Sequence, residues 1–521
     1  MNRLIAALRR TVAPVLLPVL LGTVTVATAQ SLPPSLFLPE AVLPRQTVEA
    51  APYPVALPTG QPRAPISKFR YEFKGQTKSL DQYLSEAKVR ALLVLKDGKI
   101  VHEFNRFPYH RRSLHQSWSI GKQVLSALVG VAIAEGAIGS VDDRMDAYDP
   151  SLALNGFAGV TFKQALQMSS GVAYDEEADR FKLFLDVITN FYTFGRQGQN
   201  LAQKTYDAAL TSAYVPGSRY EYASINSQAI SSALEKAVEM PYKDYLQRKL
   251  WQRMAMPDDA KVLVDREGQA FTFCCLYATT RSYAAFGLMY ARGGALHGRQ
   301  LVPQDWVRRS TRLDADTGNW ANVPRDGNEF GLYGFGYHWW PLEGGQGDFV
   351  ALGIQGQMIH ISPKQGVVVV RLSDDLVDGY HNEEAVTMAR AVADFLAAQV
   401  AREEPIYGVS TGFGSNADKL LGAHPLRDEL PGATKSGRSL HEELQYNLIV
   451  THAVCVGEPM APEIVRAMLG IRINTLLKGH SGIRVETLQA MAAMLNAGIV
   501  PVVPRKGSVG ASGDLAPLSH L

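Results

Sequence analysis

A run of apolar and small residues, Val124–Ile133, follows directly after Ser119 and Lys122, which lie three positions apart. A continuous apolar run of this length predicts a buried helix, and the serine and the lysine then share one face of its first turn. The positive end of the helix favours a nascent alkoxide at Ser119. Partial burial favours the neutral amine of Lys122, which could then accept a proton. The pattern therefore predicts a serine–lysine pair that performs acyl transfer.

The Ser-x-x-Lys spacing is not specific on its own, since a chain of this length contains about one or two matches by chance. A second match, Ser85 and Lys88, lies in a polar helical stretch, and we interpret it as a solvated helix face. For Ser119 the structural alternative is a serine that caps a helix beside a surface lysine. The other motifs of the chain have to decide between these interpretations.

The amino terminus has the pattern of an export signal. Basic residues near the start precede an apolar stretch, 15–26, and small residues follow at positions 27–29. This pattern predicts a signal peptide over residues 1–29 and a periplasmic or secreted protein, with no stable membrane insertion after cleavage. An uncleaved membrane anchor is the alternative, because the apolar stretch approaches the length that spans a bilayer.

Composition indicates a linker after the signal and limits the partners and metal sites that can be expected. Residues 30–65 are rich in proline, which predicts an extended linker with little structure of its own. The net charge is only +2 and charges of both signs are interleaved, so no nucleic-acid partner is expected. The three cysteines, Cys274, Cys275 and Cys455, predict neither a disulfide framework nor a zinc site. We expect no metal, and the sequence leaves the oligomeric state open.

Strand patterns lie at both ends of the stretch 66–400, and residues 145–310 between them are mainly helical. Two β-rich segments near its start flank Asp97-Gly98, a pair typical of a tight hairpin turn. The late strand candidates are 335–340, 358–361 and 367–371, and a helix from about 383 to 400 follows them. We predict an α/β (α+β) fold, in which helices flank one antiparallel sheet built from both ends of this stretch and the insert forms an all-helical lobe.

Two further motifs could contribute to a site. Tyr222 follows the turn at Pro216-Gly217, and a phenol there could relay a proton to a leaving group, although packing is its alternative role. The segment Gly353–Gln357 opens the late hairpin, and its glycines would let the backbone approach a substrate closely. The N–H of Gln357 could then complete an oxyanion hole with that of Ser119. A β-bulge without chemistry is the alternative.

In this order the three motifs resemble the serine β-lactamase and penicillin-binding-protein superfamily, over about residues 66–400. The most similar branch is the class C-like serine hydrolases, which include esterases and the 6-aminohexanoate-dimer hydrolase. The resemblance implies a β-lactamase/transpeptidase-like fold and an acyl-enzyme intermediate without a cofactor. It also implies Ser119 as the nucleophile, Lys122 as the general base and Tyr222 as a proton-transfer residue. We interpret the pair Cys274-Cys275 as a buried feature rather than a catalyst.

Two departures from the family pattern affect the expected site. The Tyr-x-Asn element is here Tyr222-Ala223-Ser224, while the alternative register Ser224-Ile225-Asn226 resembles the Ser-x-Asn of other branches. We prefer Tyr222 because of its distance from the Pro-Gly turn. The Lys-Thr-Gly element is replaced by Ile354-Gln355-Gly356, which removes the cation that pairs with the carboxylate of penicillins. We therefore expect a small ester or amide substrate. The expected pocket residues are Tyr174, Ser224, Gln355 and Gly356.

From about residue 402 the chain resembles a different family, the aromatic amino-acid ammonia-lyases, and most of all their histidine ammonia-lyase branch. The matching segments are Tyr407–Ser415, Leu444–Leu448, His452 and Gly507–Leu515. In that family an Ala-Ser-Gly tripeptide cyclises to a methylideneimidazolone, and neighbouring glycines allow the tight backbone this requires. The resemblance implies this role for Ala511, Ser512 and Gly513, with Tyr407 and His452 as further site residues.

The sequence ends at Leu521, soon after this tripeptide, so we expect residues 402–521 to form a truncated, mostly α-helical lyase segment that is inactive alone. The methylideneimidazolone is expected only if the lyase part is completed. Three functions follow as hypotheses. The chain is an exported serine hydrolase acting on a small ester or amide, a histidine ammonia-lyase fragment, or a non-catalytic binding protein of the penicillin-recognition fold. The first of these is our prediction.

Overall fold

The computed structural model describes residues 43–60, 66, 69–323, 333–344, 347–400, 440–478, 483, 485–508 and 515–521. The chain divides into two compact units, Met1–Arg402 and Glu403–Leu521. The expected export signal, residues 1–29, lies outside the described residues. Within the described part of the chain, no helix combines the length and the apolar character that crossing a membrane requires.

The first unit contains a six-stranded antiparallel sheet with the strand order β11-β12-β13-β14-β4-β5. A smaller four-stranded sheet has the order β1-β7-β8-β6, and β2-β3 and β9-β10 are two-stranded. The strands are β1 (Arg45–Val48), β2 (Arg70–Phe73), β3 (Gln76–Ser79), β4 (Val89–Lys96), β5 (Lys99–Asn105), β6 (His115–Gln116), β7 (Ala260–Leu263), β8 (Leu276–Ala278), β9 (Ala295–Leu296), β10 (Arg299–Gln300), β11 (Trp340–Pro341), β12 (Phe349–Gly353), β13 (Gln357–Ser362) and β14 (Val367–Ser373).

Most helices of the first unit lie between the early and the late strands. Several begin with a capping box, as at Thr161, whose hydroxyl accepts from the Gln164 amide while the Gln164 side chain accepts from the Thr161 amide. The helices are α1 (Leu80–Glu86), α2 (Gly121–Ala134), α3 (Phe162–Leu166), α4 (Ala178–Tyr192), α5 (Leu201–Thr205), α6 (Ile225–Val238), α7 (Tyr242–Leu246), α8 (Thr280–Ala291), α9 (Gln304–Thr311) and α10 (Asn382–Val400). The mixed α/β fold with an antiparallel sheet is confirmed.

Both predicted hairpins are present. Strands β4 and β5 pair from Lys96 opposite Lys99, and Asp97 and Gly98 both have the positive φ that a tight two-residue hairpin turn requires. Strands β13 and β14 pair from Ser362 opposite Val367. Because β14 also pairs with β4, the early and the late hairpins join into one sheet.

Helix α2 is the buried helix that the apolar run predicts. Every residue from Gly121 to Ala132 is buried. The helix packs tightly, since a Cβ atom at Gly130 would lie 2.5 Å from the indole of Trp306. A single 3₁₀ turn, Trp118–Ile120, leads into α2 and carries Ser119.

The secondary structure differs from the sequence-based expectations in three places. Proline-rich residues 43–60 are not a bare tether, because β1 pairs with β7 and Val48 is fully buried. The strand expected over 335–340 is limited to β11, because a positive φ at His338 turns the chain just before it. Strands β7 to β10 interrupt the mainly helical stretch 145–310.

The adjacent cysteines Cys274 and Cys275 form a disulfide with each other, although the sequence predicted no disulfide framework. Both are buried, as expected for a structural pair. They lie between β7 and β8, and the Cys275 carbonyl accepts a hydrogen bond from the Leu263 amide.

The second unit is mostly helical in its described part. Its elements are α11 (Leu440–His452), β15 (Val456–Pro459), α12 (Pro462–Leu476), α13 (Val485–Asn496), β16 (Pro504–Lys506) and α14 (Leu515–His520). Strands β15 and β16 form an antiparallel pair, α12 packs on α13, and α11 packs on α14. Proline occupies the first position of α12. An N–H at that position would have no acceptor within the helix, so proline, which has no N–H, loses no hydrogen bond there.

Candidate active site

Ser119 and Lys122 are in direct contact. The Lys122 Nζ lies 3.0 Å from the Ser119 Oγ, as expected for residues one turn apart. The lysine is only 1% exposed, whereas Ser119 is partly exposed. Among the described residues Lys122 forms no ion pair with a carboxylate; its second hydrogen bond goes to the carbonyl oxygen of Phe273, at 2.9 Å. A buried amine therefore faces an accessible hydroxyl.

The turn that carries Ser119 is held in an unusual backbone conformation. Trp118 has a φ of 44°, a left-handed value that costs a non-glycine residue on the order of 1–3 kcal/mol. The preceding residue, Ser117, is fixed to β8, since its amide donates to the Leu276 carbonyl at 2.7 Å and its hydroxyl accepts from the Leu276 amide. This anchoring holds the 3₁₀ turn that carries Ser119 in place at the start of α2.

The end of β12 lies directly against this turn. A Cβ atom at Gly353 would be 2.8 Å from the Ser117 carbonyl oxygen and 3.1 Å from the Trp118 Cβ. Only glycine fits such an approach without displacement. Gln357 lies opposite Gly353 in the β12–β13 pair, and both are buried. The structure thus brings the Gly353–Gln357 motif to the serine turn; the oxyanion role of the Gln357 N–H stays a prediction.

The side chain of Gln357 holds the turn between β12 and β13. Its Nε2 donates to the carbonyls of Ile354, Gln355 and Ser373, at 3.2, 3.1 and 2.9 Å. Gln355 has a φ of 60° and is half-buried. Gly356 is buried, and a Cβ atom there would lie 2.5 Å from the guanidinium of Arg371. Gly356 therefore faces Arg371 on one side, and the turn is fixed from within the protein.

Tyr222 also lies beside Lys122. Its ring centroid is 4.9 Å from the Lys122 Nζ, within cation–π distance. The ring stacks on Trp340 with the ring centroids 6.1 Å apart. It also packs edge-to-face with Phe335, with the centroids 6.2 Å apart. The structure therefore brings together all three residues that the sequence assigned to catalysis.

Ser224 and Asn226 point into the protein. Ser224 is buried, and both its amide and its hydroxyl donate to the carboxylate of Glu176 at 2.7 Å. Asn226 is fully buried, and its amide donates to the sulfur of Met168 at 3.4 Å. Of the two alternative motifs, Tyr222-x-Ser224 therefore brings its first residue, Tyr222, beside Lys122. The side chains of the alternative motif, Ser224-x-Asn226, are engaged elsewhere. The hydroxyl of Ser224, expected in the substrate pocket, is instead engaged by Glu176.

Tyr174, another expected pocket residue, is 6% exposed. Within the described residues its hydroxyl has no hydrogen-bond partner. Burial raises the pKa of this phenol well above its usual value, so it is a neutral donor at physiological pH.

A buried histidine supports the backbone of the lysine. The Nδ1–H of His338 donates to the Lys122 carbonyl at 3.0 Å, and its Nε2 lies 3.4 Å from the Ser227 hydroxyl. Burial lowers the pKa of His338 to about 3, so the ring is neutral. The Gln123 side chain of α2 also donates to the His338 carbonyl.

Phe273, Glu176 and His338 are contributors to the site that the motifs did not reveal. Phe273 acts through a backbone carbonyl, which leaves no signal in the sequence. Glu176 lies in an acidic stretch that reads as a solvated surface, Asp175–Glu177. His338 sits in an aromatic segment that predicts a core strand.

The lyase-like motif is described only in part. His452 ends α11, where its Nδ1 lies 2.8 Å from the Leu448 carbonyl oxygen. Tyr407, Ala511, Ser512 and Gly513 lie outside the described residues. Over the described part of the chain, no group of three or more His, Cys, Asp or Glu is arranged to hold a metal ion. The lining of a cavity of about 140 Å³ beside Leu57 and Met256 includes none of Ser119, Lys122 and Tyr222.

Two family profiles match the chain. The family described as Beta-lactamase matches residues 82–393, and the family described as Aromatic amino acid lyase matches residues 368–521. The matches overlap over 368–393, a stretch of the first unit that runs from β14 into α10.

Among solved structures, an inferred 6-aminohexanoate-dimer hydrolase from Bacillus anthracis is similar in fold. It superposes with a TM-score of 0.62 over 70% of this chain and 93% of its own, at 19% sequence identity. This likeness concerns the fold alone.

Curated relatives match the carboxyl-terminal part. Histidine ammonia-lyase of Symbiobacterium thermophilum is 46% identical over 162 residues, which are 31% of this chain and 28% of that protein. Histidine ammonia-lyase of Geobacillus thermodenitrificans is 42% identical over 168 residues, which are 32% of this chain and 29% of that protein. The chain thus spans less than a third of the length of the curated relatives it matches.

Proposed function

Because the chain belongs to the β-lactamase family, we propose that it is a serine hydrolase that cleaves a small ester or amide through an acyl-enzyme at Ser119. The observation that carries the proposal is the 3.0 Å contact between the buried amine of Lys122 and the partly exposed hydroxyl of Ser119. A nucleophile within hydrogen-bonding distance of a base is the arrangement that covalent acyl transfer requires.

In the first half-reaction, the Ser119 Oγ attacks the carbonyl carbon while Lys122 takes up the hydroxyl proton. The carbonyl oxygen becomes an oxyanion, and backbone N–H groups of Ser119 and Gln357 are the proposed donors. As the tetrahedral intermediate collapses, the leaving group takes a proton from the Tyr222 hydroxyl, which is replaced by the proton that Lys122 took from Ser119. Water then attacks the acyl-enzyme carbonyl while Lys122 accepts a proton from the water. When this second intermediate collapses, the bond to the Ser119 Oγ breaks, Lys122 returns the proton to that oxygen, and the carboxylic acid leaves.

The substrate proposal depends on the turn beside the serine. Where the wider family has a Lys-Thr-Gly element, this chain has Ile354-Gln355-Gly356, and Gln355 supplies no positive charge. A substrate carboxylate would have no cation from this turn, which disfavours penicillin-like compounds and favours a small ester or amide. The name of the Bacillus anthracis protein refers to a substrate of the amide class.

A fluorophosphonate probe tests the proposal directly. We expect the wild-type chain to become labelled and Ser119→Ala to stay unlabelled, with hydrolysis of acyl esters or amides following the same pattern. A folded wild-type chain that resists labelling would instead favour a non-catalytic binding protein. Hydrolysis of a chromogenic cephalosporin as fast as that of nitrophenyl esters would contradict the substrate class.

We also propose export, since the first 29 residues have the pattern of a cleaved signal. Expression with its native amino terminus and sequencing of the exported protein test this. A mature chain that starts near Gln30 is expected, and a full-length cytosolic product would contradict it.

Ammonia-lyase activity is a second candidate, favoured by the 46% identity to a histidine ammonia-lyase over 162 residues. The decisive measurement is urocanate formation from histidine by the full chain. Formation that is abolished by Ser512→Ala would establish a lyase function, and its absence would leave hydrolysis as the activity of the chain.

A further inference from the structure

Glu176 lies just before α4 and holds the segment that carries Tyr222. Its Oε1 accepts a hydrogen bond from the Ser224 hydroxyl and its Oε2 accepts one from the Ser224 amide, each at 2.7 Å. Both oxygens of one carboxylate are therefore used on a residue two positions after Tyr222. Hydrogen bonds to an ionised acceptor are about twice as strong as neutral ones.

Arg180 holds this carboxylate from a second direction. Its Nη1 lies 3.1 Å from the Glu176 Oε1, one helical turn away. Burial acts to lower the pKa of Arg180, but the negative charge of Glu176, together with Tyr174, Tyr222 and Tyr380, raises it overall. The side chains of Glu176 and Arg180 are 19% and 26% exposed, so the pair is largely shielded from solvent.

The other contacts of the Tyr222 segment are weaker or less direct. The Glu221 amide donates to the Met168 carbonyl at 2.8 Å, and the Ala223 amide donates to the Met168 sulfur at 3.5 Å. Sulfur is a weak acceptor. The tyrosine ring is otherwise held by stacking on Trp340 and by an edge-to-face contact with Phe335, and both contacts act on the ring rather than on the backbone. Glu176 supplies the charged contact to this segment, and it holds the backbone at Ser224, two residues after Tyr222.

We propose that Glu176 is a positioning residue, which clamps Ser224 so that the phenol of Tyr222 points at the leaving group. The inference deepens the proposed function and rests on it. A purely structural role is the competing explanation, since the Glu176 carboxylate also faces the amino terminus of α6, where a negative charge stabilises a helix.

Leaving-group dependence separates the two explanations. Proton donation by Tyr222 matters for an alkoxide or amine leaving group, whereas p-nitrophenolate departs without it. We compare an alkyl ester and a p-nitrophenyl ester of the same acyl group. For Glu176→Ala we expect kcat/KM to fall by about tenfold or more on the alkyl ester and by less than about threefold on the nitrophenyl ester, chiefly through kcat.

Three further variants complete the test. Tyr222→Phe should show the same selective loss, and Tyr222→Phe/Glu176→Ala should lose little beyond Tyr222→Phe, because both changes remove one function. Glu177→Ala is the matched control, since Glu177 is an exposed acid next in sequence. It should hydrolyse both esters like wild type.

A loss of equal size on both esters, or no loss on either, would overturn the inference while Ser119 labelling still supports hydrolysis. Failure of the wild-type chain to react with the fluorophosphonate would overturn the proposed function, and the inference with it. If Glu176→Ala does not fold, Ser224→Ala removes one of the two clamping bonds. It should then show the same selectivity at smaller amplitude, and a uniform effect counts against the clamp.

Discussion

Phe273 and Lys122 are separated by 151 positions in the sequence, yet the Phe273 carbonyl oxygen accepts a hydrogen bond from the Lys122 Nζ at 2.9 Å. The same amine contacts the Ser119 hydroxyl at 3.0 Å. Two acceptors from different segments thus fix the direction of one buried side chain. The Ser119 contact is local, but its geometry depends on the segment that leads into β8.

Replacing the lysine should remove chemistry without removing the fold. For Lys122→Met we expect kcat/KM on a nitrophenyl ester to fall by about 10²–10⁴-fold, the usual range for loss of a general base. Methionine fills a similar buried volume, and a buried amine without a carboxylate partner adds little stability, so the melting temperature should hold or rise. Steady-state hydrolysis of the ester measures the first effect and thermal melts measure the second. Fluorophosphonate labelling should slow in parallel with hydrolysis. Retention of wild-type labelling would exclude Lys122 as the base.

Gly353→Ala should displace the serine turn. Its Cβ would lie 2.8 Å from the Ser117 carbonyl oxygen, a backbone atom that cannot move aside alone. We expect a loss of about 1–3 kcal/mol in the free energy of unfolding, as for other overpacked sites, together with slower labelling of Ser119. Gly470→Ala is the control, because a Cβ there would have its nearest neighbour at 4.0 Å. Equal behaviour of the two variants in urea unfolding would contradict this account.

His338 should make the first unit sensitive to acid. Burial lowers its pKa to about 3, below the ordinary value of 6.5, so the unfolded chain binds a proton that the folded chain does not. This contribution to stability is present above pH 6.5 and is lost as the pH falls from there towards 3. We expect His338→Asn, which tolerates the positive φ at this site, to show a shallower loss of unfolding free energy between neutral pH and pH 4.5. The exposed His110 supplies the control substitution, and an unchanged slope in His338→Asn would refute the assignment.

Glu235 should have the opposite pH dependence. Burial raises the pKa of this carboxyl to about 7, while the Tyr242 amide donates to it at 2.7 Å. A raised folded pKa stabilises the fold below the ordinary value of 4.5, and that contribution disappears as the pH rises through about 7. Glu235→Gln should therefore stabilise the protein at pH 8 more than at pH 5, in chemical unfolding at both values. Exposed Glu177→Gln should show no such difference, and a pH-independent effect of Glu235→Gln would argue against the raised pKa.

Local signals in the sequence predicted much of this fold. The Asp97-Gly98 turn and the apolar run after Lys122 each act through neighbouring residues, and the structure has a hairpin and a buried helix there. Strand β1 was missed because proline suppresses strand signals, while tertiary pairing with β7 decides its structure.

The candidate site was predictable where its members are recognised by their side chains, as at Ser119 and Tyr222, which the structure brings to Lys122. It was not predictable where a backbone carbonyl, or one acidic residue among several neighbours, makes the contact. Phe273 contributes only its main chain, and Glu176 differs from Glu177 by the direction in which α4 begins. Such contributions depend on three-dimensional placement and have no composition signal.

The pairing of β14 with β4 also constrains how the molecule is made. Lys96 pairs with Val367, so the central ladder of the sheet cannot form until nearly the whole first unit has left the ribosome. Contacts of such high sequence separation slow folding, because a long loop must close before they form. Ser119 and Lys122 are thus synthesised well before Gly353, and a nascent chain contains this pair before the strand that packs against the serine turn exists.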